Sequence, residues 1–413
     1  MVNRNRWPSW VNALVDRIAD SPTSAIGRLA ARRLGAPAPV GSVAATSFAE
    51  RPIRVLIAPV NYAAQGTAWA RALEARRSGI SAQNMAIDVP GGFSFDADLT
   101  VPVGTYHNDA DWQTRQFEAA SQATHVLIEA EEPPFGRLLG RSVERQAAAL
   151  QEQAVDIAYM AHGTDARLPS MHAERSEWSY YRDPSVYLPR AETLARRNIE
   201  FLNRSGRPVF VSTPDLLLDL PAATWCPVVV DPARWSMART EREPGAPLRV
   251  VHAPSNPVLK GTPLIMPVLE RLQEEGVIDF RLIQGIPSAD MPSLFAGADV
   301  LLDQFRLGSY GVAACEAMAT GCIVVGQISD QVRDTVAQST GHQLPIVETG
   351  PRSLEQVLRR LSALPDLTQL RRESAEFVTD VHDGRRSADA LLTHWISPAA
   401  PAGREDADSA PSI

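Results

Sequence analysis

The chain is almost devoid of lysine: of its 40 basic Lys and Arg residues, 39 are arginines and one, Lys260, is a lysine. A coding bias toward arginine serves wherever any cation will do, so the position that kept its ammonium marks itself out. Cysteine is equally scarce. Cys226, Cys315 and Cys322 form no Cys-x-x-Cys pair and are too few for a disulfide framework, so they read as small buried hydrophobes in a reducing compartment. No apolar run reaches the roughly 18 residues of a membrane span, and the N-terminus lacks the continuous apolar stretch of a secretory signal. The sequence therefore reads as cytoplasmic. With a net charge of −8 there is no general basic field to hold nucleic acid. No Gly-x-Gly-x-x-Gly follows the first apolar run and no Gly-x-Ser-x-Gly is present, which removes the usual nicotinamide and α/β-hydrolase signatures. The histidines lack metal-ligand spacing, and Asp299 and Asp303 are too far apart in sequence for an adjacent metal-binding carboxylate pair, so no metal is expected.

What is present begins with an unusual N-terminus. Arg4, Arg6, Arg17, Arg28, Arg32 and Arg33 against Asp16 and Asp20 give residues 1–40 a charge of +4 in an otherwise acidic protein. Trp7, Trp10, Val11, Leu14 and Ile18 recur at helical spacing. A basic amphipathic helix of this kind suits an anionic lipid surface at the inner face of a membrane, through residues 1–35, and suits packing on its own protein equally well. Residues 1–47 are read as this arm and a Pro/Ala/Ser-rich linker.

From Arg54 onward short apolar runs alternate with helical patterns: Arg54–Ala58, His125–Ile128, Asp156–Met160 and Val209–Ser212, with helices such as Gly140–Gln153 and Pro189–Asn203 between them. A second series runs through Leu248–His252, Phe280–Gln284, Val300–Asp303 and Cys322–Gly326. The expected architecture is α/β, two doubly wound Rossmann-like domains facing a cleft. Their bounds are 48–232 and 248–396, joined by a linker at 233–247, with a disordered tail at 397–413.

The chemistry concentrates in the second series. Gly308-Ser309-Tyr310-Gly311 precedes a helix opening at Val312, where close backbone approach and free N–H groups suit a phosphate. Glu316 lies in the first two turns, placed for a vicinal diol such as a ribose. Gly321 caps the helix. Lys260-Gly261-Thr262 follows a strand and precedes a helix, where an ammonium can neutralise a diphosphate leaving group. These elements, with Gln284-Gly285-Ile286-Pro287, Ala298-Asp299-Val300 and Glu316-Ala-Met-Ala-x-Gly321, resemble the nucleotide-sugar domain of the GT-B glycosyltransferases. The match is to the large retaining family with a Lys-Gly before its first long helix and a Glu-x7-Glu motif.

The resemblance implies transfer of a sugar from a nucleoside diphosphate sugar to a hydroxyl acceptor, with retention and with no cofactor beyond that co-substrate. It implies Lys260 on the diphosphate, Glu316 on the ribose, and Ser255, Ile286, Gly308, Ser309, Tyr310, Gly311 and Val312 around the donor. Two positions depart from the motif: Gly308 replaces its first Glu, and Ser255 replaces an arginine that helps hold the diphosphate. Asp303 is placed either to cap its strand or to reach the sugar. In the first half, the resemblance singles out His162-Gly163-Thr164-Asp165-Ala166-Arg167 as the turn facing the donor sugar, with His162 near the reacting region and Asp165 orienting it or pairing with Arg167. Asn61, Gln65 and Gly66 hold the place of a loop near phosphate and acceptor. A non-catalytic nucleotide-sugar binder or scaffold, and a nucleotide-sugar epimerase of the same fold, are the alternatives. The acceptor stays open: a glycan, a lipid or an envelope intermediate.

Overall fold

The computed structural model describes residues 3–21, 24–39, 41–90, 95–243 and 245–397. The tail expected at 397–413 thus lies, from residue 398, outside the described residues. The apolar runs become two parallel sheets. The first contains β1 (Ile53–Ala58), β2 (Ile80–Asp88), β3 (Leu99–Pro102), β4 (His125–Glu129), β5 (Asp156–Ala161), β6 (Val209–Val211) and β7 (Thr224–Trp225), in the order β3-β2-β1-β4-β5-β6-β7. The second contains β8 (Leu248–His252), β9 (Ile278–Leu282), β10 (Val300–Leu302), β11 (Ile323–Gly326) and β12 (Val347–Glu348), in the order β12-β11-β10-β8-β9.

Strands this apolar need cover on both faces, and helices supply it. Val55, Leu56, Ile57 and Ala58 of β1 are all fully buried, as are Ile323, Val324 and Val325 of β11. Register brings Leu56 of β1 beside Val126 of β4, and Leu301 of β10 beside Val251 of β8. The cysteines are buried and unpaired, as their scarcity implied.

The connection between the halves is more structured than the expected linker at 233–247. Thr224–Trp225 completes the first sheet, and a single helical turn, Pro232–Trp235, follows it and packs near the Val312–Ala319 helix. The end of segment 248–396 packs on the first half. The helix Arg385–Leu391 and the turn Leu392–Ile396 leave the second sheet and bury Ala388, Leu391, Trp395 and Ile396 against Val55, Ile57 and Trp69 of the first half. His382 braces the return: its Nδ1 lies 2.8 Å from the Val228 carbonyl, and its own carbonyl accepts the Val230 N–H at 2.8 Å.

Candidate active-site cleft

In a parallel sheet every strand delivers its carboxyl end to the same edge, and ligands bind outside that edge where the strand order reverses. In the second sheet the reversal falls between β8 and β10. The loop after β8 carries Lys260 and the loop after β10 carries Asp303, and Lys260 Nζ lies 2.5 Å from Asp303 Oδ1 across that point. Lys260 ends the single turn Pro257–Lys260, which Asn256 caps by accepting the Val258 and Leu259 N–H groups at 3.1 and 3.2 Å. Gly261 follows at φ +79°, and a Cβ there would lie 3.2 Å from Phe305 Cβ and 3.3 Å from Arg306 Cγ. Glycine is thus required to pin the lysine to the β10 loop. The second oxygen of Asp303 is buried without a partner. An ammonium has three donors, so Lys260 can hold Asp303 with one and offer the others to an anion.

Gly308 lies at φ +70° and its carbonyl accepts the Ser329 N–H at 2.9 Å. A glutamate at that position would have to adopt the left-handed region, so the loss of the motif's first Glu goes with this turn. Ser309 is buried, and the Tyr310 ring turns inward, its hydroxyl 3.2 Å from His382 Nε2. Tyr310 therefore holds the loop from below and presents only backbone to the cleft. Gly311 caps the helix Val312–Ala319 with no side-chain cap, and nothing lies within 4 Å of where its Cβ would be. Val312 packs partly on the core. Glu316 makes no side-chain hydrogen bond among the described residues, and burial, partly offset by Arg234, pushes its carboxyl up to about 7. Ser255 is exposed, as is Ile286, which follows Gly285 at φ +69° on the loop after β9. Asp299, at the opposite end of β10 from Asp303, is bound by Arg249 at 2.8 Å and Arg371 at 2.6 Å and serves as a buttress.

One cation near Lys260 escaped the sequence reading. Arg306 is 8% exposed, its Cγ lies against Gly261, its Nη1 donates to Asp183 Oδ2 at 2.9 Å, and its Nε is buried without a partner. It is held beside Gly261, the residue that follows Lys260. The only sequence signal was an arginine three residues after a strand-end aspartate, a weak one in so arginine-rich a chain.

The first sheet reverses between β1 and β4. There His162, just after β5, has its Nε2 3.1 Å from Glu129 Oε1 at the end of β4. Its ring stacks on Trp69, with centroids 5.7 Å apart, and makes an edge contact with the ring of the exposed Tyr62 at 5.3 Å. Asp165 accepts the His162 N–H at 2.8 Å and the Gly163 N–H at 2.5 Å, so it fixes the turn. It does not pair with Arg167, which donates to Asp215 at 2.6 and 2.9 Å. Burial raises the Asp215 carboxyl, but Arg167 outweighs it and holds it below the usual range.

Glu129 and Glu131 were also not foreseen. Glu129 is fully buried, and burial raises its carboxyl while His162 partly offsets the shift. Glu131 is 9% exposed with both oxygens unpartnered; burial, then Asp165 and Glu132, push it well above the usual carboxyl range. Ala130 and Glu131 both have positive φ, at 55° and 51°, strain of the kind that clusters at functional sites.

The first strand's loop behaves otherwise. Asn61 is held by Thr67 and the Asp96 carbonyl, and Gln65 exchanges two hydrogen bonds with Val229 at 2.6 and 3.0 Å. A Cβ on Gly66 would lie 2.3 Å from Asn84 Nδ2, so this glycine lets its helix close on β2. Asn84 is fully buried and donates to the Ile57 and Val60 carbonyls. Gly66→Ala is expected to lower the melting temperature, because displacing Asn84 sacrifices hydrogen bonds of about 1 kcal/mol each plus overpacking of about 1–3 kcal/mol. That exceeds the roughly 1 kcal/mol helix gain of alanine. An equal or higher melting temperature would refute the packing role.

The two edges meet. His172 Nε2 lies 3.2 Å from the Leu307 carbonyl, and Asp183 reaches Arg306. Between the halves a groove of about 390 Å³ is lined by Arg175, Trp178, Gln327, Glu348 and Arg352 among others. The second half's strand-end edge carries Lys260, Arg306 and the uncapped helix N-terminus, and the first half's carries the His162–Glu129 pair; the lining of this groove includes none of them.

No family model and no curated protein sequence matches the chain. Solved structures do. Over 83% of its length the chain is similar to sucrose-phosphate synthase from Thermosynechococcus elongatus, at 14% identity, 97% of that chain and a TM-score of 0.53. It is similar over 83% of its length to HepE from Anabaena in complex with UDP and glucose, at 12% identity, 99% of that chain and a TM-score of 0.51. Trehalose-6-phosphate synthase OtsA matches at 11% identity, 83% of this chain, 98% of that chain and a TM-score of 0.51. The fold is that of the GT-B glycosyltransferases, with its two Rossmann-like halves.

Proposed function

We propose that the protein is a glycosyltransferase that moves a sugar from a nucleoside diphosphate sugar to a hydroxyl acceptor, with retention and without a metal. The observation that carries this reading is the Lys260–Asp303 pair at the reversal point of the second sheet, beside an uncapped helix N-terminus. The HepE structure, of the same fold, contains UDP and glucose. In this reading the diphosphate lies between Lys260 and the N–H groups at Gly311–Val312, with Arg306 as the second cation in the role of the arginine that Ser255 replaces. Glu316 takes the ribose hydroxyls, Ile286 offers an apolar contact to the base, and His162 faces the transferred sugar. Lys260 neutralises charge on the departing diphosphate.

The test is release of nucleoside diphosphate from a panel of nucleotide sugars, with and without candidate hydroxyl acceptors. Acceptor-dependent release is expected. His162→Ala should lower kcat by about 10²-fold, the usual loss for a group acting on the reacting region, while donor affinity changes little. Donor affinity without any turnover or hydrolysis would make the protein a binder.

A second reading is favoured by one observation. Glu129, His162, Glu131 and Asp165 also form an acid–base set suited to a nucleotide-sugar epimerase. It predicts conversion of the donor with no acceptor present.

A further inference from the structure

The first helix of the arm, Ser9–Asp20, is mounted with its polar side against the protein. Its buried residue is Asn12, which accepts from Arg4 Nε at 3.0 Å and donates to the Arg4 carbonyl at 3.0 Å. One and two turns on, Asp16 meets Arg4 at 2.9 Å and Asp20 meets Arg190 at 2.7 Å. The stripe 12/16/20 is thus committed inward or to ion pairs, while Trp10, at 69% exposed, Leu14 and Val15 face outward and Trp7, Val11 and Ile18 are half-buried. A helix serving its own core shows the reverse orientation. The second helix, Ala25–Arg32, repeats the pattern with Ile26 and Leu29 exposed, and Leu34 follows. Arg6, Arg17, Arg28, Arg32 and Arg33 are exposed around this face. The arm's two carboxylates are already neutralised by arginines, so the charge it offers outward is positive in a chain of net charge −8.

We infer that this face docks in the plane of an anionic lipid surface. No helix among the described residues is long and apolar enough to cross a membrane, so the contact is with one leaflet. Charge complementarity selects lipid: large apolar side chains ringed by arginines match acyl chains beneath anionic headgroups. The face also has a place relative to the cleft. Asn5 donates to the Pro184 and Val186 carbonyls, next to Asp183, the partner of Arg306. Leu188, close by, is exposed. On the other side Arg28 and Arg137 are near enough for their charges to interact, Leu139 is exposed, and Arg141 pairs with Glu132 beside Glu131. A bilayer seated on the arm therefore borders the His162 wall. Resting on the transferase reading, this makes the acceptor a hydroxyl compound anchored in lipid.

The docking test needs neither donor nor turnover. Full-length protein is floated with vesicles of phosphatidylcholine alone or with about a third phosphatidylglycerol. Binding to the anionic vesicles is expected, weakened by salt, and reduced about tenfold or more in Leu14→Glu/Leu29→Glu, whose sites are exposed and do not support the core. Because the native cysteines are buried, Leu139→Cys and Leu188→Cys can each carry an environment-sensitive dye, and both should blue-shift on anionic vesicles. Overturning results are no flotation, equal flotation with neutral vesicles, flotation unchanged by the double substitution, or a dimer in vesicle-free solution that the double substitution dissolves. If flotation holds but no lipid-linked acceptor supports sugar transfer, the docking stands and the acceptor assignment falls.

Discussion

Lys260→Ala is expected to lower turnover by about 10²–10³-fold, the range seen when a preorganised group facing transition-state charge is removed. The ammonium is set by a turn that tolerates only glycine after it, and by Asp303, which is 4% exposed. The same setting makes the single substitution ambiguous. Removing one partner of a buried pair leaves an uncompensated charge, typically costing about 3–5 kcal/mol, so lost activity could reflect lost folding. Lys260→Ala combined with Asp303→Asn removes both charges and should recover most of the melting temperature. It should not recover kcat. Single-turnover rates and melting curves on the single and double variants separate the two effects. A double variant with near-native turnover would show that the pair is structural only and would remove Lys260 from the donor site.

Lys260 was legible because the composition had already done the discrimination: in a chain with one lysine, a lysine after a strand and before a helix is a strong signal. Glu316, Gly311 and Gly321 were legible from local spacing, since a glycine, a helix of eight residues and a strand define their own geometry. Both sheets were readable in outline because strands buried on both faces are continuous apolar runs. Glu129 and Glu131 were hidden because Glu-Ala-Glu-Glu-Pro-Pro reads as an exposed turn. Its burial depends on His162, more than 30 residues away and brought near by parallel pairing of β4 with β5. The return of residues 385–396 to the first sheet is long-range for the same reason. Periodicity showed that the N-terminal helix is amphipathic, but which face looks outward depends on Arg190, on a distant helix. Tertiary partners decide such cases, and local pattern carries no trace of them.

Glu316→Gln should weaken donor binding by about 10–100-fold while making the free protein more stable at pH 8. A carboxylate accepting two ribose hydroxyls makes charge-assisted hydrogen bonds of about 1.5–3 kcal/mol, against about 1 kcal/mol for a neutral amide, and each 1.4 kcal/mol is about tenfold in affinity. The stability effect has the opposite sign because burial raises the Glu316 carboxyl from 4.5 to about 7. Between those values the unfolded chain has released the proton that the folded chain retains. Stability contributed by the protonated group is therefore full below about 4.5 and is lost as pH rises through about 7. Glutamine has no charge to bury, so the variant's advantage should be absent at pH 4.5, grow to pH 7 and persist at pH 8. Donor affinity of the native protein should rise over the same interval as the carboxylate ionises, and in Glu316→Gln it should be flat. Calorimetric titration with the donor at pH 6 and pH 8, beside melting curves across the range, measures both. Unchanged affinity at pH 8 would mean that Glu316 does not touch the donor. Weaker binding with greater stability would identify it as a carboxylate kept in an unfavourable place for the sake of its ligand.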